Sequence, residues 1–411
     1  MLFRAEDQTM PSELPGFSMP ADPGRDWVLP DYQGRSILNL VESLARLLGA
    51  APQADVMPLR DGLSLDGERP GKIVLLILDG LGDAYLRTRG GGSRLLAARR
   101  GSLTSVFPST TASAVTTFLT GLAPAVHGLN GWVTRDHLGE LILPLPMVAE
   151  ADGRALVGPF HRRRLFPYRT LFQRLAGESV VVTPSWLIDS TYSRRHNRGA
   201  KVLGYERLDE LDATIAAALS GCGHGALVHA YYPGFDSLAH DAGIGSEALA
   251  AKFARIDAMF GRLADSLADS GVAVVVSADH GLIDAPLAEL CLLGAHPEIA
   301  AMLSQPLWGE RRAAWCVLRE GARDEFGAAL VDVFGERIDV LDAARVGQLG
   351  LLGPGHPHRD IEARIGDLLL LPRGAGTLVN EMHLQSLHPM AAVHGGLSAT
   401  EMEVPLIVLA N

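Results

Sequence analysis

The stretch that decides the fold is KIVLLILDG at residues 72–80, where an apolar run ends on Asp79. A second run of the same kind, VAVVVSADHG at 272–281, ends on Asp279 and His280. Continuous apolar runs bounded by turn residues are typical of strands that are buried on both faces of a parallel sheet. Because the carboxyl ends of parallel strands meet at one edge, we predict that these polar side chains converge on a single rim.

Further apolar runs follow the same rhythm and alternate with segments of helical periodicity. The runs lie at 102–107, 179–184 and 225–232, and the clearest helical patterns at 37–49, 207–219 and 247–267. Strands that alternate with helices favour crossover connections and a parallel sheet with helices on both faces. The predicted fold class is therefore α/β, with a doubly wound, mostly parallel central sheet.

The pattern changes after Pro286, which indicates an insertion into this core. A helix-like segment at 287–303 precedes strand candidates at 313–318, 338–341 and 367–371 and a helix at 321–335. We predict an irregular N-terminal arm at 1–34, a catalytic core at 35–284 and 376–411, and a small inserted α+β cap subdomain at 285–375. An insertion directly after candidate site residues is expected to form a wall or lid over the site.

Composition narrows the choice of partners and compartment. The chain has 411 residues, and 36 Lys and Arg against 47 Asp and Glu give a formal net charge of −11, which disfavours long nucleic acid and anionic membranes. An odd count of 3 cysteines argues against a disulfide framework. With no apolar leader and no uninterrupted run of about 18 apolar residues, we predict a cytoplasmic protein; its oligomeric state is left open.

Two short segments carry candidate metal ligands besides Asp79. Asp236 and His240 are four residues apart, so one helical turn would place them on the same face. In isolation, this spacing is more typical of a carboxylate–imidazole pair that caps a helix than of a metal site. His394, followed by glycines in VHGG, is by itself more typical of an ordinary loop residue than of a ligand.

The segment FPSTTASAVTTFLTGLAPAVHG at 107–128 places hydroxyl groups before an apolar helical pattern. Ser and Thr at such positions commonly cap the helix. A helix N-terminus also attracts anions, so that beside a metal ion a Thr alkoxide becomes a feasible nucleophile.

Taken in order, LDG, STTASAVTTFLTGLAPAVHG, DSLAH, ADHG and VHGG resemble the nucleotide pyrophosphatase/phosphodiesterase branch of the alkaline phosphatase superfamily, over 72–284 and 376–411. The resemblance implies an alkaline phosphatase type of sheet and two divalent metal ions, expected to be zinc. It implies that Asp236, His240 and His394 hold one ion. It also implies that Asp79, Asp279 and His280 hold the other, together with the nucleophile. The family's spacing selects Thr111 as that nucleophile, with Thr110 as the nearest rival.

One position departs from the family pattern. Where the family's phosphodiesterases place an Asn that binds a phosphoryl oxygen, this chain has Trp132. Asn130, two residues earlier, or backbone N–H groups are the alternatives for this contact. Asn130 and Trp132 are therefore the candidate substrate-binding residues.

The resulting functional hypothesis is a metal-dependent hydrolase that cleaves phosphodiester or phosphoanhydride bonds of a small phosphorylated substrate through a phospho-threonine. No Arg or Lys lies between Leu103 and Thr134, which favours a monoanionic diester over a dianionic monoester. Arg311, Arg312 or Arg364 from the insertion could reverse this preference. The alternatives are a phosphonate hydrolase or phosphomonoesterase with the same ligands and a non-catalytic metal-binding homologue. The Asp/His set also tolerates manganese or iron.

Overall fold

The computed structural model describes residues 27–63, 71–156, 158–386 and 388–410. Most of the predicted N-terminal arm, 1–26, lies outside these ranges. The described chain forms strands β1 to β18 in chain order: Lys72–Leu78, Arg99–Thr104, Thr134–Arg135, Leu141–Leu143, Val148–Ala149, Ser179–Pro184, Lys201–Tyr205, Ala226–Tyr232, Val272–Ser277, Ile283–Asp284, Leu290–Leu292, Trp308–Glu310, Ala313–Cys316, Ile338–Asp342, Leu368–Pro372, Thr377–Val379, Ala392–Val393 and Glu403–Ala410.

Helices α1 to α16 follow the same convention: Ile37–Leu47, Asp83–Arg89, Arg94–Ala97, Thr111–Thr120, Pro124–His127, Pro159–Leu165, Ser185–Ile188, Thr191–His196, Leu208–Ser220, Gly234–Ala242, Glu247–Ser266, Pro297–Ala300, Arg323–Phe334, Ala343–Gln348, Ile361–Ile365 and Ala399–Met402. Single 3₁₀ turns occupy Leu287–Glu289, Leu293–Ala295, Gly335–Arg337 and Leu384–Ser386. Within the described ranges, no helix combines the length and apolarity needed to cross a bilayer.

The central sheet has seven strands in the order β2-β18-β9-β1-β8-β6-β7. All pairings are parallel except those of β18, which runs antiparallel to both β2 and β9. The residues of β6 and β9, and those of β1 after Lys72, are buried, as expected for a sheet covered on both faces. The predicted α/β class is confirmed.

The register of the three central strands fixes where the polar residues emerge. Leu78 at the end of β1 is opposite Tyr232 at the end of β8, and Ile77 is opposite Ser277 at the end of β9. Asp79, Asp279 and the first turns of α10 therefore follow strand ends that lie side by side. This is the rim that the apolar runs predicted.

The inserted region builds a second sheet, with the antiparallel order β12-β13-β15-β14. Its inner side chains pack against the catalytic core. Phe107 meets Trp315 edge to face with ring centroids 6.3 Å apart, and both belong to an apolar cluster that also includes Trp308, Leu397 and Met402. This packing fixes β12 beside the rim. The boundaries assigned to the insertion stay a prediction, and the pairing of β11 with β16 continues to Val379.

The helix predicted at 287–303 is wrong. Leu290–Leu292 is a strand that pairs in parallel with Thr377–Val379, and only Pro297–Ala300 is α-helical. Strand pairing across the chain overrides the local apolar spacing, and Pro297 disfavours a helical conformation for the residue before it. His296 indeed has φ −116° and ψ 81°.

Candidate functional site

Six side chains predicted as metal ligands converge at the rim of the central sheet. The candidate ligand atoms of Asp79, Asp279 and His280 lie within 4.8 Å of one another, as do those of Asp236, His280 and His394. His240 joins the set through Asp236, with Nε2 3.1 Å from Oδ2. The structure thus brings together all six, but His280 lies close to both groups rather than to one.

The imidazoles are oriented by backbone carbonyl oxygens. Nδ1 of His240 is 2.7 Å from the oxygen of Ala392, and Nδ1 of His394 is 3.2 Å from that of Ser109. A ring nitrogen that donates to a carbonyl leaves the other nitrogen available as a lone-pair ligand. The rings of His280 and His394 stack with centroids 3.7 Å apart.

The carboxylates are buried and only partly satisfied. Asp79 Oδ1, Asp236 Oδ1 and Asp279 Oδ2 have no hydrogen-bond partner within the described chain. Burial, followed by the charges of Asp279 and Asp236, raises the pKa of Asp79 well above its usual range. Burial also raises the pKa of Asp279. Unpaired carboxylate oxygens in a buried cluster are costly, and bound cations remove that cost.

Asp236 differs from the other two acids because histidines surround it. Burial opposes its ionisation, but the hydrogen bond and charge of His240 and the charge of His394 outweigh burial and lower its pKa to about 2. The donor set of carboxylates and imidazoles fits zinc and similar divalent ions. The residues present therefore fit a metal centre.

The two threonines have different surroundings. Thr111 is the first residue of α4, and its Oγ1 lies 3.2 Å from Nε2 of His280. Thr110, which precedes the helix, is fully buried and donates its hydroxyl to Oε1 of Glu310 at 2.6 Å. Thr111 therefore faces the ligand cluster, whereas the hydroxyl of Thr110 is already engaged.

A cavity of about 560 Å³ opens above the cluster. Thr111, Asp236, His240 and His394 line one side of it, and the opposite wall comes mainly from 132–133, 307–311 and 378–381. The dimensions are those of a small-molecule site.

The two predicted substrate-binding residues have different outcomes. Trp132 lines the cavity with 41% of its surface exposed. Asn130 is fully buried: its Nδ2 donates to the carbonyl oxygen of Arg364, and its Oδ1 accepts from Thr134. The structure does not bring the Asn130 amide to the cavity, since both ends of that amide hold the surrounding loop.

Two residues in contact with the site were missed by the sequence analysis. Tyr231 donates its hydroxyl to Oδ2 of Asp79, and its place near the end of β8 was an available signal. Glu310 accepts from both Thr110 Oγ1 and the backbone N–H of Trp132 at 2.6 Å, and burial raises its pKa to about 7. No local sequence pattern indicates that Glu310 belongs to the site, because its partners lie 200 and 178 residues away.

Solved structures share the fold. Murine ectonucleotide pyrophosphatase / phosphodiesterase 5, an inactive variant in complex with AMP, is similar with a TM-score of 0.61 and 17% identity, over 82% of this chain and 87% of that chain. Phosphonoacetate hydrolase from Sinorhizobium meliloti in complex with phosphonoacetate is similar with a TM-score of 0.61 and 20% identity, over 84% and 92%. No curated protein matches the chain in sequence.

The sequence profile described as Type I phosphodiesterase / nucleotide pyrophosphatase matches residues 73–396. The matched range contains all six converging ligand candidates and Thr111, and it covers most of the chain. The chain therefore belongs to the type I phosphodiesterase / nucleotide pyrophosphatase family of hydrolases, within the alkaline phosphatase superfamily.

Proposed function

We propose that this protein is a metal-dependent phosphodiesterase that hydrolyses small phosphodiesters or phosphoanhydrides, with Thr111 as the nucleophile. The observation that carries the proposal is the hydroxyl of Thr111, 3.2 Å from His280 Nε2 at the edge of the ligand cluster. A hydroxyl at a helix N-terminus beside a cationic centre is a suitable nucleophile for phosphoryl transfer.

Asp236, His240 and His394 would hold one ion, and Asp79, Asp279 and His280 the other. Bound there, two divalent ions would lower the pKa of the nucleophile and offset charge on the phosphoryl group. The other residues of the site hold the ligand side chains in position. The carbonyl oxygens of Ala392 and Ser109 orient His240 and His394, and Tyr231 holds Asp79.

In the proposed reaction, the Thr111 oxygen attacks phosphorus in line and forms a P–O bond to the enzyme while the bond to the first alcohol breaks. The alcohol leaves with a proton. Water then attacks the phospho-threonine, releases the phosphoryl product and restores the Thr111 hydroxyl.

A phosphonate hydrolase is the second candidate, and Arg311 favours it. Among the described residues that line the cavity, Arg311 is the one Arg or Lys, and its Nη2 donates to the oxygen of His388 at 2.8 Å. A guanidinium at this place could bind the second anionic group of a substrate such as phosphonoacetate.

The test compares Thr111→Ala with Thr110→Ala in metal-loaded protein, on a bis-aryl phosphodiester, an aryl phosphomonoester and phosphonoacetate. We expect kcat/KM on the diester to fall by roughly 10³-fold or more in Thr111→Ala, and much less in Thr110→Ala. A larger loss in Thr110→Ala would reassign the nucleophile. Efficient cleavage of phosphonoacetate alone would favour the second candidate.

A further inference from the structure

Glu310 is an acidic side chain of the reaction cavity that the proposed ligand set does not use. It ends β12 of the inserted region, and its carboxylate bridges Thr110 at the start of the nucleophile helix and the N–H of Trp132. Glu310 lines the same cavity as Thr111, His240 and His394. A carboxylate therefore contacts the backbone of Trp132, the residue that stands where the family's phosphodiesterases have an Asn.

The fold holds this carboxylate in place by a close backbone contact. The N–H of Gly309 donates to the oxygen of Val133 at 3.0 Å, and the N–H of Val133 donates back at 3.3 Å. A Cβ on Gly131 would lie 2.5 Å from Cα of Gly309, so the two segments can meet this closely only because residue 131 is a glycine. The segment at 130–133 is thereby fixed against β12, with the Trp132 N–H directed at Glu310.

The opposite side of Glu310 is equally close. A Cβ on Gly395, the residue after the ligand His394, would come within 2.7 Å of Cβ of Glu310. Glu310 is therefore enclosed by the nucleophile helix, the 130–133 segment and the His394 loop. Its position is part of the architecture of the site.

The nearby cations do not neutralise Glu310 directly. Arg312 is bound to Glu401 through Nε and Nη2, at 3.2 and 3.0 Å. Arg364 is fully buried and donates to the oxygen of Gly128. Nη2 of Arg311 donates to the oxygen of His388, and Arg311 interacts with Glu381 and Glu310 through charge alone, without a hydrogen bond to either among the described residues. Within the described part of the chain, the insertion thus supplies a carboxylate that is hydrogen-bonded but forms no ion pair with Arg or Lys, and two of the three candidate arginines are engaged elsewhere.

The charge balance of the site changes with this residue. Two dications exceed the three aspartates by roughly one charge, and an ionised Glu310 cancels that excess before Thr111 is deprotonated. Dications held by the neighbouring aspartates and histidines would favour the ionisation of Glu310. A phosphomonoester dianion then meets one more repulsive charge than a diester monoanion meets, in a site of low dielectric.

We propose that Glu310 is a specificity-determining residue that disfavours dianionic phosphomonoesters and thereby selects phosphodiesters. This inference rests on the proposed phosphodiesterase function and names the substrate class of the same site. It also assigns a role to the insertion, which contributes selectivity through charge while the sheet rim contributes the ligands.

The experiment measures kcat/KM for bis(p-nitrophenyl) phosphate and p-nitrophenyl phosphate at pH 8, where the monoester is a dianion. In Glu310→Gln, the amide oxygen can still accept from Thr110 and Trp132, but the charge is gone. We expect the monoester-to-diester ratio of kcat/KM to rise about tenfold, the effect of one charge at close range in a partly screened site. The metal content of each variant is measured alongside.

Thr110→Val is the matched control, because it removes the hydrogen bond to Glu310 and keeps the charge; its ratio should stay within about twofold of the native ratio. If Glu310→Gln fails to fold, Glu310→Asp and Glu310→Asn form a second pair that differs in charge alone, and their ratios should again differ by about tenfold. An unchanged ratio in an active, metal-loaded Glu310→Gln enzyme overturns the role of Glu310 alone. Native protein inert toward both esters overturns the proposed function, and this inference with it.

Discussion

Two buried charged clusters lie close together in this protein, and they are satisfied very differently. In the Arg312–Glu401 cluster, both oxygens of Glu401 accept hydrogen bonds from the guanidinium, and Gly396 and Ser398 donate as well. In the aspartate cluster, Asp79, Asp236 and Asp279 each keep one oxygen without a partner. The first cluster is complete as it stands, whereas the second requires a cation to complete it.

The pKa values of the acids follow the same division. Burial opposes the ionisation of Glu401, but the charge and hydrogen bonds of Arg312 hold its pKa below its usual range. Burial and neighbouring carboxylates move the pKa of Asp79 in the opposite direction. Replacing an acid by the corresponding amide should therefore have opposite effects on stability in the two clusters.

The largest expected effect comes from Glu401→Gln, which leaves Arg312 buried with no counter-charge. Removing one partner of a buried ion pair costs about 3–5 kcal/mol. We expect a clear fall in the thermal midpoint, measured by calorimetry on metal-free protein. An unchanged midpoint would show that the Arg312–Glu401 cluster is not the complete structural unit described above.

A second prediction concerns His229, a buried imidazole that belongs to neither cluster. It lies within β8, neither ring nitrogen has a partner within the described chain, and burial lowers its pKa to about 4. The unfolded chain therefore takes up this proton first as the pH falls. Above a pH of about 6.5, His229 is neutral in both the folded and the unfolded chain and does not affect the pH dependence of stability. As the pH falls to about 4, the free energy of unfolding decreases by about 3 kcal/mol.

His229→Leu should remove this loss. We expect the stability of the variant, followed by denaturant unfolding between pH 7 and pH 4, to decline less steeply than that of the native protein. Parallel curves would mean that His229 has partners that stabilise its charged form. A less steep decline would show that His229 tolerates burial by staying neutral, whereas the aspartates need cations.

The smallest effect is expected for Asp79→Asn in protein stripped of metal. The amide oxygen can still accept from Tyr231, and the amide N–H₂ can donate toward Asp279, so that repulsion becomes a hydrogen bond. We expect a gain of about 1–2 kcal/mol and a higher thermal midpoint, the opposite sign to Glu401→Gln. A fall in the midpoint would contradict the view that the metal-free cluster is held under electrostatic strain.

The sheet rim could be predicted from the sequence because its signals are local. Asp79 and Asp279 directly follow buried apolar runs, and Asp236 and His240 are one helical turn apart. The cavity wall could not be predicted from the sequence, because it depends on contacts between distant segments. Glu310 owes its place to Gly131 and to the packing of the insertion on the core.

The errors have the same origin. Asn130 lies two residues before Trp132 and was a candidate for that reason, but the distant carbonyl oxygen of Arg364 and the nearby hydroxyl of Thr134 engage its amide. The leucines of 287–303 have helical spacing, but Leu290–Leu292 pairs as a strand with Thr377–Val379. In both cases, contacts with residues remote in sequence decided the outcome.

The metal centre is tested most directly by the metal content of purified protein, measured by elemental analysis after dialysis against zinc and removal of free ions. We expect about two equivalents per chain for the native protein, and about one for Asp236→Ala, which removes a central ligand of one ion. Less than about half an equivalent in native protein with all six side chains intact would contradict it.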